Sequence, residues 1–307
     1  GASKIDNFLD SGVTKSLLKA LRQLGVDWRL EGNVLWVQGN GFDSFQASKL
    51  PIDCGNSATT MRLLAGALAG NGVSAILDGS EGLRKRPMDR IVDPLQKMGV
   101  PISASENDCA PLMLLSRNTQ RKLLGGLFTL AQASAQVKTC LLLAGLGAEN
   151  EVVIHEPAAS RDHSERMLRS MGVQVRNPDP LTIALTPPKS QLKPLQTVLP
   201  GDFSAAAFLL VAALITPASD LWIQDVGLNP GRTGLIDALT SMGGNIGVVT
   251  KPDQAGEPIG DIHVQFSQLH ATTISGDLVV RMIDEFPVFS VAAALAEGTS
   301  QVRDAQE

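Results

Sequence analysis

Cysteine is scarce in this chain of 307 residues: Cys54, Cys109 and Cys140 are an odd number at wide spacing, with no CxxC pair. Neither a disulfide framework nor a thiolate zinc site is indicated, and a reducing cytoplasm fits that usage. The four histidines, His155, His163, His263 and His270, fall in no HExxH or other ligand spacing, so no metal is expected. Charge is sparse too: 19% of residues are charged, the net charge is −5, and there is no lysine- or arginine-rich run. Nucleic acids and anionic membranes are bound through clustered positive charge, so small-molecule substrates are expected instead. The longest apolar run, Ala205 to Ile215, is too short to span a bilayer, and the first residues show no basic-then-apolar leader. A Walker A loop, a GxGxxG fingerprint and a serine-hydrolase elbow are all missing, which removes direct support for nucleotide binding or serine hydrolysis.

What is present is enough apolar content, 44%, to build packed cores, over a length that predicts two domains. The chain also repeats. Leu24-Gly25-Val26, Met98-Gly99-Val100, Met171-Gly172-Val173 and Met242-Gly243-Gly244 each close a helical pattern, with glycines 74, 73 and 71 residues apart. Each glycine stands where a helix is followed by a residue at φ > 0, and an extended stretch comes next. Within a period the order is helix, strand, helix, strands. The first helices (59–70, 136–146 and 204–214) are rich in Ala and Leu, as helices buried on several sides should be, whereas the second helices are amphipathic. Pro94 inside one of these predicts a kink. Residues 1–31 read as the latter half of a first unit, and a fifth begins at Ile283. The proline-rich stretch 178–194 reads as a linker, which predicts domains over 1–198 and 199–307.

The polar residues gather at the starts of the first helices. Asn56-Ser57-Ala58-Thr59-Thr60-Met61-Arg62 combines N-cap residue types with an arginine about one turn in, a pattern suited to an anion held by free helix N–H groups and a guanidinium. Ser134-Ala135-Gln136-Val137-Lys138, Gly201-Asp202-Phe203-Ser204 and Asp284-Glu285-Phe286-Pro287 occupy the equivalent junctions. Arg84-Lys85-Arg86-Pro87 places three cations beside a helix start, against the helix dipole, which is sensible if an anion binds there. From residue chemistry alone the chain is a two-domain α/β protein that binds a small, multiply anionic ligand.

These motifs, with Ser160-Arg161-Asp162-His163-Ser164-Glu165-Arg166 and Asn229-Pro230-Gly231-Arg232-Thr233-Gly234, stand in the order found in 5-enolpyruvylshikimate-3-phosphate (EPSP) synthases, and the chain resembles that family over essentially its whole length. The resemblance implies an α/β fold of repeated βαβαββ units, the two-domain inside-out α/β barrel of enolpyruvyl transferases, with the second domain incomplete. It implies transfer of the enolpyruvyl group of phosphoenolpyruvate to the 5-hydroxyl of shikimate 3-phosphate with release of phosphate, on the route to chorismate and the aromatic amino acids. Neither a metal nor an organic cofactor is implied, and a cytoplasmic monomer is expected.

By motif, Arg86 and the Ala58 backbone resemble the phosphoenolpyruvate pocket, with Asn56 and Arg62 in the same loop. Ser134, Ala135, Gln136 and Ser160 resemble the residues that grip shikimate 3-phosphate, Gln136 reaching both substrates, and Lys138 adds positive charge nearby. Asp284 resembles the carboxylate that holds the substrate hydroxyls and takes a proton. Ala58 stands where the family often has glycine, which leads to an expectation of glyphosate tolerance. The family's opening Lys-Ser segment and its closing Lys-Glu and arginine positions have no counterpart in the chain, which is expected to be a catalytically silent fragment. Two rival readings are UDP-N-acetylglucosamine enolpyruvyltransferase, whose cysteine loop has no recognisable match here, and a non-catalytic anion-binding remnant.

Overall fold

Helices run over Gly12–Gln23 (α1), Ala58–Asn71 (α2), Asp89–Lys97 (α3), Ala135–Gly145 (α4), His163–Ser170 (α5), Phe203–Ile215 (α6), Gly234–Ser241 (α7), Asp277–Arg281 (α8) and Phe286–Leu295 (α9) in the computed structural model, which describes residues 1–41, 44–118 and 120–305. The four repeat glycines follow α1, α3, α5 and α7 with φ of 80°, 88°, 91° and 91°, a conformation that costs a residue with a Cβ far more than it costs glycine. Helix α3 continues through Pro94 to Lys97 and buries Ile91, Val92 and Leu95 on one face. Helices α2 and α4 are buried on most sides, α2 through residues from Ala58 to Asn71 and α4 through residues from Val137 to Gly145.

The chain divides into two units: Gly1–Pro157 with Met167–Val198, and Ala158–Arg166 with Leu199–Glu307. The first unit contains three four-stranded sheets of one design, in which a parallel pair is extended by two antiparallel strands. Ile52–Asp53 lies parallel to Ala75–Asp78, followed by Leu112–Leu114 and Ile102–Ser103. Gly126–Thr129 lies parallel to Val152–His155, followed by Thr182–Thr186 and Gln174–Asp179. In the third sheet the parallel partner of Ala2–Asp6 is Gln196–Val198, with Lys4 opposite Gln196, and Val34–Gln38 and Asp27–Glu31 complete it. The half-unit read at residues 1–31 is therefore joined by a strand from almost two hundred residues away.

The stretch 178–194 is only partly a linker. Pro178 belongs to the strand Gln174–Asp179, at the point where its pairing with Thr182–Thr186 shifts register between Arg176 and Asp179. A proline lacks the N–H that a regular ladder needs, and a register irregularity is one of the few places in a sheet that tolerates it. In the second unit Asp220–Gly227, Glu257–Gln265 and Asn245–Gln254 form an antiparallel sheet, and Gly201 bridges Val226 in parallel, the same plan reduced to a single bridge. Thr273–Ile274 pairs in parallel with Gln301–Val302 across the α8–α9 segment.

Each unit has its own apolar core. In the first, α2 packs directly on α4, and the approach is close enough that a Cβ on Gly66 would lie 2.2 Å from the Cys140 carbonyl oxygen. Glycine at that position sets the spacing of the two helices, and so the spacing of the polar residues at their N-termini.

Candidate active site

In the first unit, the strand Ile52–Asp53 leads into α2 through a turn in which Asp53 Oδ1 accepts from Gly55 N–H (2.8 Å), with Gly55 at φ 61°. Ser57 caps the helix, its Oγ accepting from Thr60 N–H at 3.1 Å. Ala58 is the first helical residue and is 4% exposed, so its methyl group is enclosed. Ser134 caps α4 in the same manner, with Oγ 3.4 Å from Val137 N. Gln136 then joins the two helix starts: its Nε2 donates to Thr59 Oγ1 at 2.8 Å, and its Oε1 accepts from Arg62 Nη1 at 2.7 Å. Arg62 also donates to the Pro87 carbonyl at 3.0 Å, bringing the Arg84–Pro87 loop to the same place. On the other side of that loop Ser80 Oγ donates to Asn56 Oδ1 at 2.8 Å.

The three cations of this loop behave differently. Arg84 pairs with Asp78 and Lys85 with Glu81, at 2.5 and 3.1 Å, whereas exposed Arg86 makes no ion pair among the described residues. Burial first, then the positive charges of Arg90 and Arg86, push the Arg62 pKa below its ordinary value. Arg62 Nε is buried without a hydrogen-bond partner. Arg62, one turn into α2, is thus joined by the nearby charges of Arg86 and Arg90, on the end of the helix that its dipole also makes positive. The nearby Asp89 carboxylate opposes them only weakly, so positive charge is in excess beside Arg62.

Lys138 is expected to add to this charge, but the structure directs it elsewhere. It is 1% exposed, and its Nζ lies 2.9 Å from Glu156 Oε2, itself 1% exposed. It follows the buried face of α4 with Leu141 and Leu142, so its charge is matched inside the unit. Cys54 and Cys140 are also buried, and burial pushes both thiols up to about 12, which removes them from nucleophilic roles at neutral pH.

Ser160 and Asp284 belong to the second unit, whereas Asn56, Ala58, Arg62, Arg86, Ser134, Ala135 and Gln136 belong to the first. The Asp284 carboxylate pairs with Arg161, and Arg232 Nη2 lies 3.9 Å away. Arg232 also reaches Asp202 at 3.3 Å and donates to Ser204 Oγ at 2.7 Å. These arginines lie within the motifs read from the sequence, yet nothing in their spacing assigns them to Asp284, because the partners are more than fifty residues apart. Glu285, 2% exposed, stands in the same helix-start cluster but carries no role in the expected site.

The segment 158–166 is held to the second unit by a polar network. His163 Nδ1 lies 2.8 Å from Glu257 Oε1, Asn229 Nδ2 donates to Asp162 (2.7 Å) and Glu257 (3.1 Å), and Arg166 donates to Asp162 and to the Gly256 carbonyl. Burial opposes the charge on Glu257, but the hydrogen bonds from His163 and Asn229 outweigh it and hold this carboxyl below its ordinary range. A carboxyl depressed on folding contributes stability that is complete above its unfolded pKa and is lost as pH falls through the folded value. Unfolding midpoints measured from pH 7 to pH 3 should therefore fall less steeply in Glu257→Gln than in the parent chain; parallel curves would remove Glu257 from the acid response.

A family model described as EPSP synthase (3-phosphoshikimate 1-carboxyvinyltransferase) matches residues 1–307. The protein named 3-phosphoshikimate 1-carboxyvinyltransferase from Citrifermentans bemidjiense is 45% identical over 309 residues, covering 100% of this chain and 70% of that protein. Its namesake from Synechococcus sp. (strain RCC307) is 44% identical over 314 residues, 100% of this chain and 71% of the relative. The chain thus spans about 70% of the length of these curated relatives. Among solved structures, EPSP synthase from Acinetobacter baumannii superposes with a TM-score of 0.90 at 37% identity, over 100% of this chain and 69% of that one. A full-length family match, relatives at this identity and a shared fold all agree with the motif order and the polar helix starts: the chain belongs to the EPSP synthase family.

Proposed function

We propose that this chain carries substrate-holding groups of a 3-phosphoshikimate 1-carboxyvinyltransferase, which moves the enolpyruvyl group of phosphoenolpyruvate to the 5-hydroxyl of shikimate 3-phosphate and releases phosphate. The observation that supports it most is the excess of positive charge where Arg62, one turn into α2, meets the Pro87 carbonyl and the charges of Arg86 and Arg90, none of the three ion-paired among the described residues. A site of that charge suits a ligand bearing both a carboxylate and a phosphate.

In this reading Arg86 binds phosphoenolpyruvate, the backbone at Ala58 and the side chain of Asn56 line its pocket, and Arg62 fixes the Gln136 amide that both substrates reach. Ser134, Ala135 and Ser160 hold shikimate 3-phosphate. Asp284 holds its hydroxyls and accepts the proton of the 5-hydroxyl, which is a weak nucleophile until a base is hydrogen-bonded to it. Charge that develops on the carboxylate and phosphate oxygens is stabilised by the guanidinium groups already in place. Lys138 is assigned to holding α4 against Glu156 rather than to contact with a ligand. Two soluble anionic substrates suit a cytoplasmic enzyme, and we read it as a monomer.

Calorimetric titration of the chain with each substrate tests the assignment. Arg86→Ala should weaken phosphoenolpyruvate binding by about 1.5–3 kcal/mol, the range of a lost charge-assisted bond, and leave shikimate 3-phosphate binding nearly unchanged. Equal losses for the two ligands would contradict the role given to Arg86.

A further inference from the structure

Glu285 is a buried carboxyl whose position is not explained by the helix it precedes. It stands at the start of α9, yet its side chain makes no capping hydrogen bond there. Instead its Oε1 accepts from Ser204 Oγ at 2.5 Å, across to the second residue of α6. The same Ser204 oxygen accepts from Arg232 Nη2 at 2.7 Å. A serine hydroxyl has one hydrogen to give and lone pairs to receive with, so the order Arg232 to Ser204 to Glu285 uses it in both senses. The far end of this chain of bonds is the guanidinium that lies between Asp202, at 3.3 Å, and Asp284, at 3.9 Å.

We propose that Glu285 and Ser204 are positioning residues that hold the Arg232 guanidinium between Asp202 and Asp284. This rests on the reading of Asp284 as the group that holds the shikimate hydroxyls, and it adds a reason for a carboxyl to be buried at position 285. A guanidinium free to turn would spread its charge over a range of orientations. Fixed by the serine, its Nη2 stays 3.3 Å from Asp202 and 3.9 Å from Asp284, so Asp284 meets a substrate in a fixed electrostatic setting.

The relay is also sensitive to acid. Burial, and secondarily the charge of Asp284, raise the Glu285 pKa, against the opposing pull of Ser204, Arg232 and Arg161. Protonation of Glu285 therefore begins above the ordinary carboxylate range, and with it Ser204 loses its anionic acceptor. Arg232 should be held firmly at neutral pH and released as pH falls.

Side-chain nitrogen NMR of Arg232 in the ligand-free chain, assigned with Arg232→Lys, reads this directly. In the parent chain the Nη resonances should be resolved at neutral pH, as expected for hindered rotation, and merge as pH is lowered. Ser204→Ala should merge them at every pH, Ser204→Thr should preserve the parent pattern because it keeps the hydroxyl, and Glu285→Gln should remove the part of the response that lies above the ordinary carboxylate range, leaving only that of Asp202 and Asp284 at lower pH. Calorimetry with shikimate 3-phosphate should show about tenfold weaker binding in Ser204→Ala and near-parent binding in Ser204→Thr, with matched unfolding temperatures. A parent chain that fails to bind shikimate 3-phosphate would refute the functional reading while the NMR comparison still decides the relay. Unchanged Arg232 resonances in Ser204→Ala, or a response above the ordinary carboxylate range retained in Glu285→Gln, would overturn the inference.

Discussion

Gly66→Ala should destabilise the first unit by about 3 kcal/mol and weaken the binding of phosphoenolpyruvate, although the residue is buried between two helices. Two effects oppose each other. Alanine is the better helix former by about 1 kcal/mol, which would favour the substitution on an isolated helix. Against this, the new Cβ would lie 2.2 Å from the Cys140 carbonyl oxygen and 2.8 Å from its carbonyl carbon and Cα. These are backbone atoms of α4, so no side chain can rotate away and the helices must separate. Overpacking of this kind costs about 1–3 kcal/mol and sometimes more, and it exceeds the gain in propensity. Separation would also pull Gln136 from Thr59 and Arg62, whose bonds of 2.7–2.8 Å join the two helix starts. Gly12→Ala provides the control, because Gly12 is the first residue of α1 and a Cβ there meets nothing within 4 Å. It should stabilise the chain by about 0.5–1 kcal/mol. Urea unfolding of both variants checks the pair, and a Gly66→Ala protein as stable as its parent would show that the helix spacing is not set at this glycine.

The second large effect is expected at the buried ion pair. Lys138→Met should cost about 3–5 kcal/mol, because it leaves the Glu156 carboxylate in the core without the ammonium at 2.9 Å. Domains are stable by about 5–15 kcal/mol, so this single change takes a large share of the total. The double variant Lys138→Met with Glu156→Leu should recover most of the loss. Desolvating two charges offsets much of their attraction, and apolar replacements of similar volume often match a buried pair in stability. The recovery is what distinguishes a buried charge problem from a simple packing defect, since a packing defect would grow worse with the second substitution. Denaturant midpoints for the two single variants and the double variant complete the cycle. If Lys138→Met alone lost less than about 1 kcal/mol, the pair would be behaving as a solvated surface contact, contrary to its burial.

The expectation that Lys138 serves a ligand shows where local reading loses its hold. The residue shares a motif with Ser134 and Gln136, and a lysine beside them reads as ligand charge. Its spacing to Leu141 and Leu142 places it on the buried face of the same helix, a signal that only its carboxylate partner makes interpretable. That partner is eighteen residues on, beyond the strand Val152–His155. The strand Gln196–Val198 was hidden for a related reason: three residues after a proline-rich stretch have no periodicity of their own, and their partners are Lys4 to Asp6. In contrast Arg84, Lys85 and Arg86 were visible as a group, and the structure distinguished them by pairing the first two and leaving Arg86 without an ion pair among the described residues.

By itself the sequence determined the first and second helices of the repeat and their glycine stops, though not the short α8, because capping, the φ > 0 position and hydrophobic periodicity are all decided within a few residues along the chain. It also placed polar residues at the helix starts, and its motif order indicated the family. The tertiary structure alone decided which polar groups meet: Gln136 with Thr59 and Arg62, Lys138 with Glu156, Asp284 with Arg161, and Glu285 with Ser204. Charges and hydrogen-bonding groups act over a few ångströms of space without regard to sequence separation, so their roles are set by packing. In the first unit that packing depends on the glycine that lets α2 approach α4.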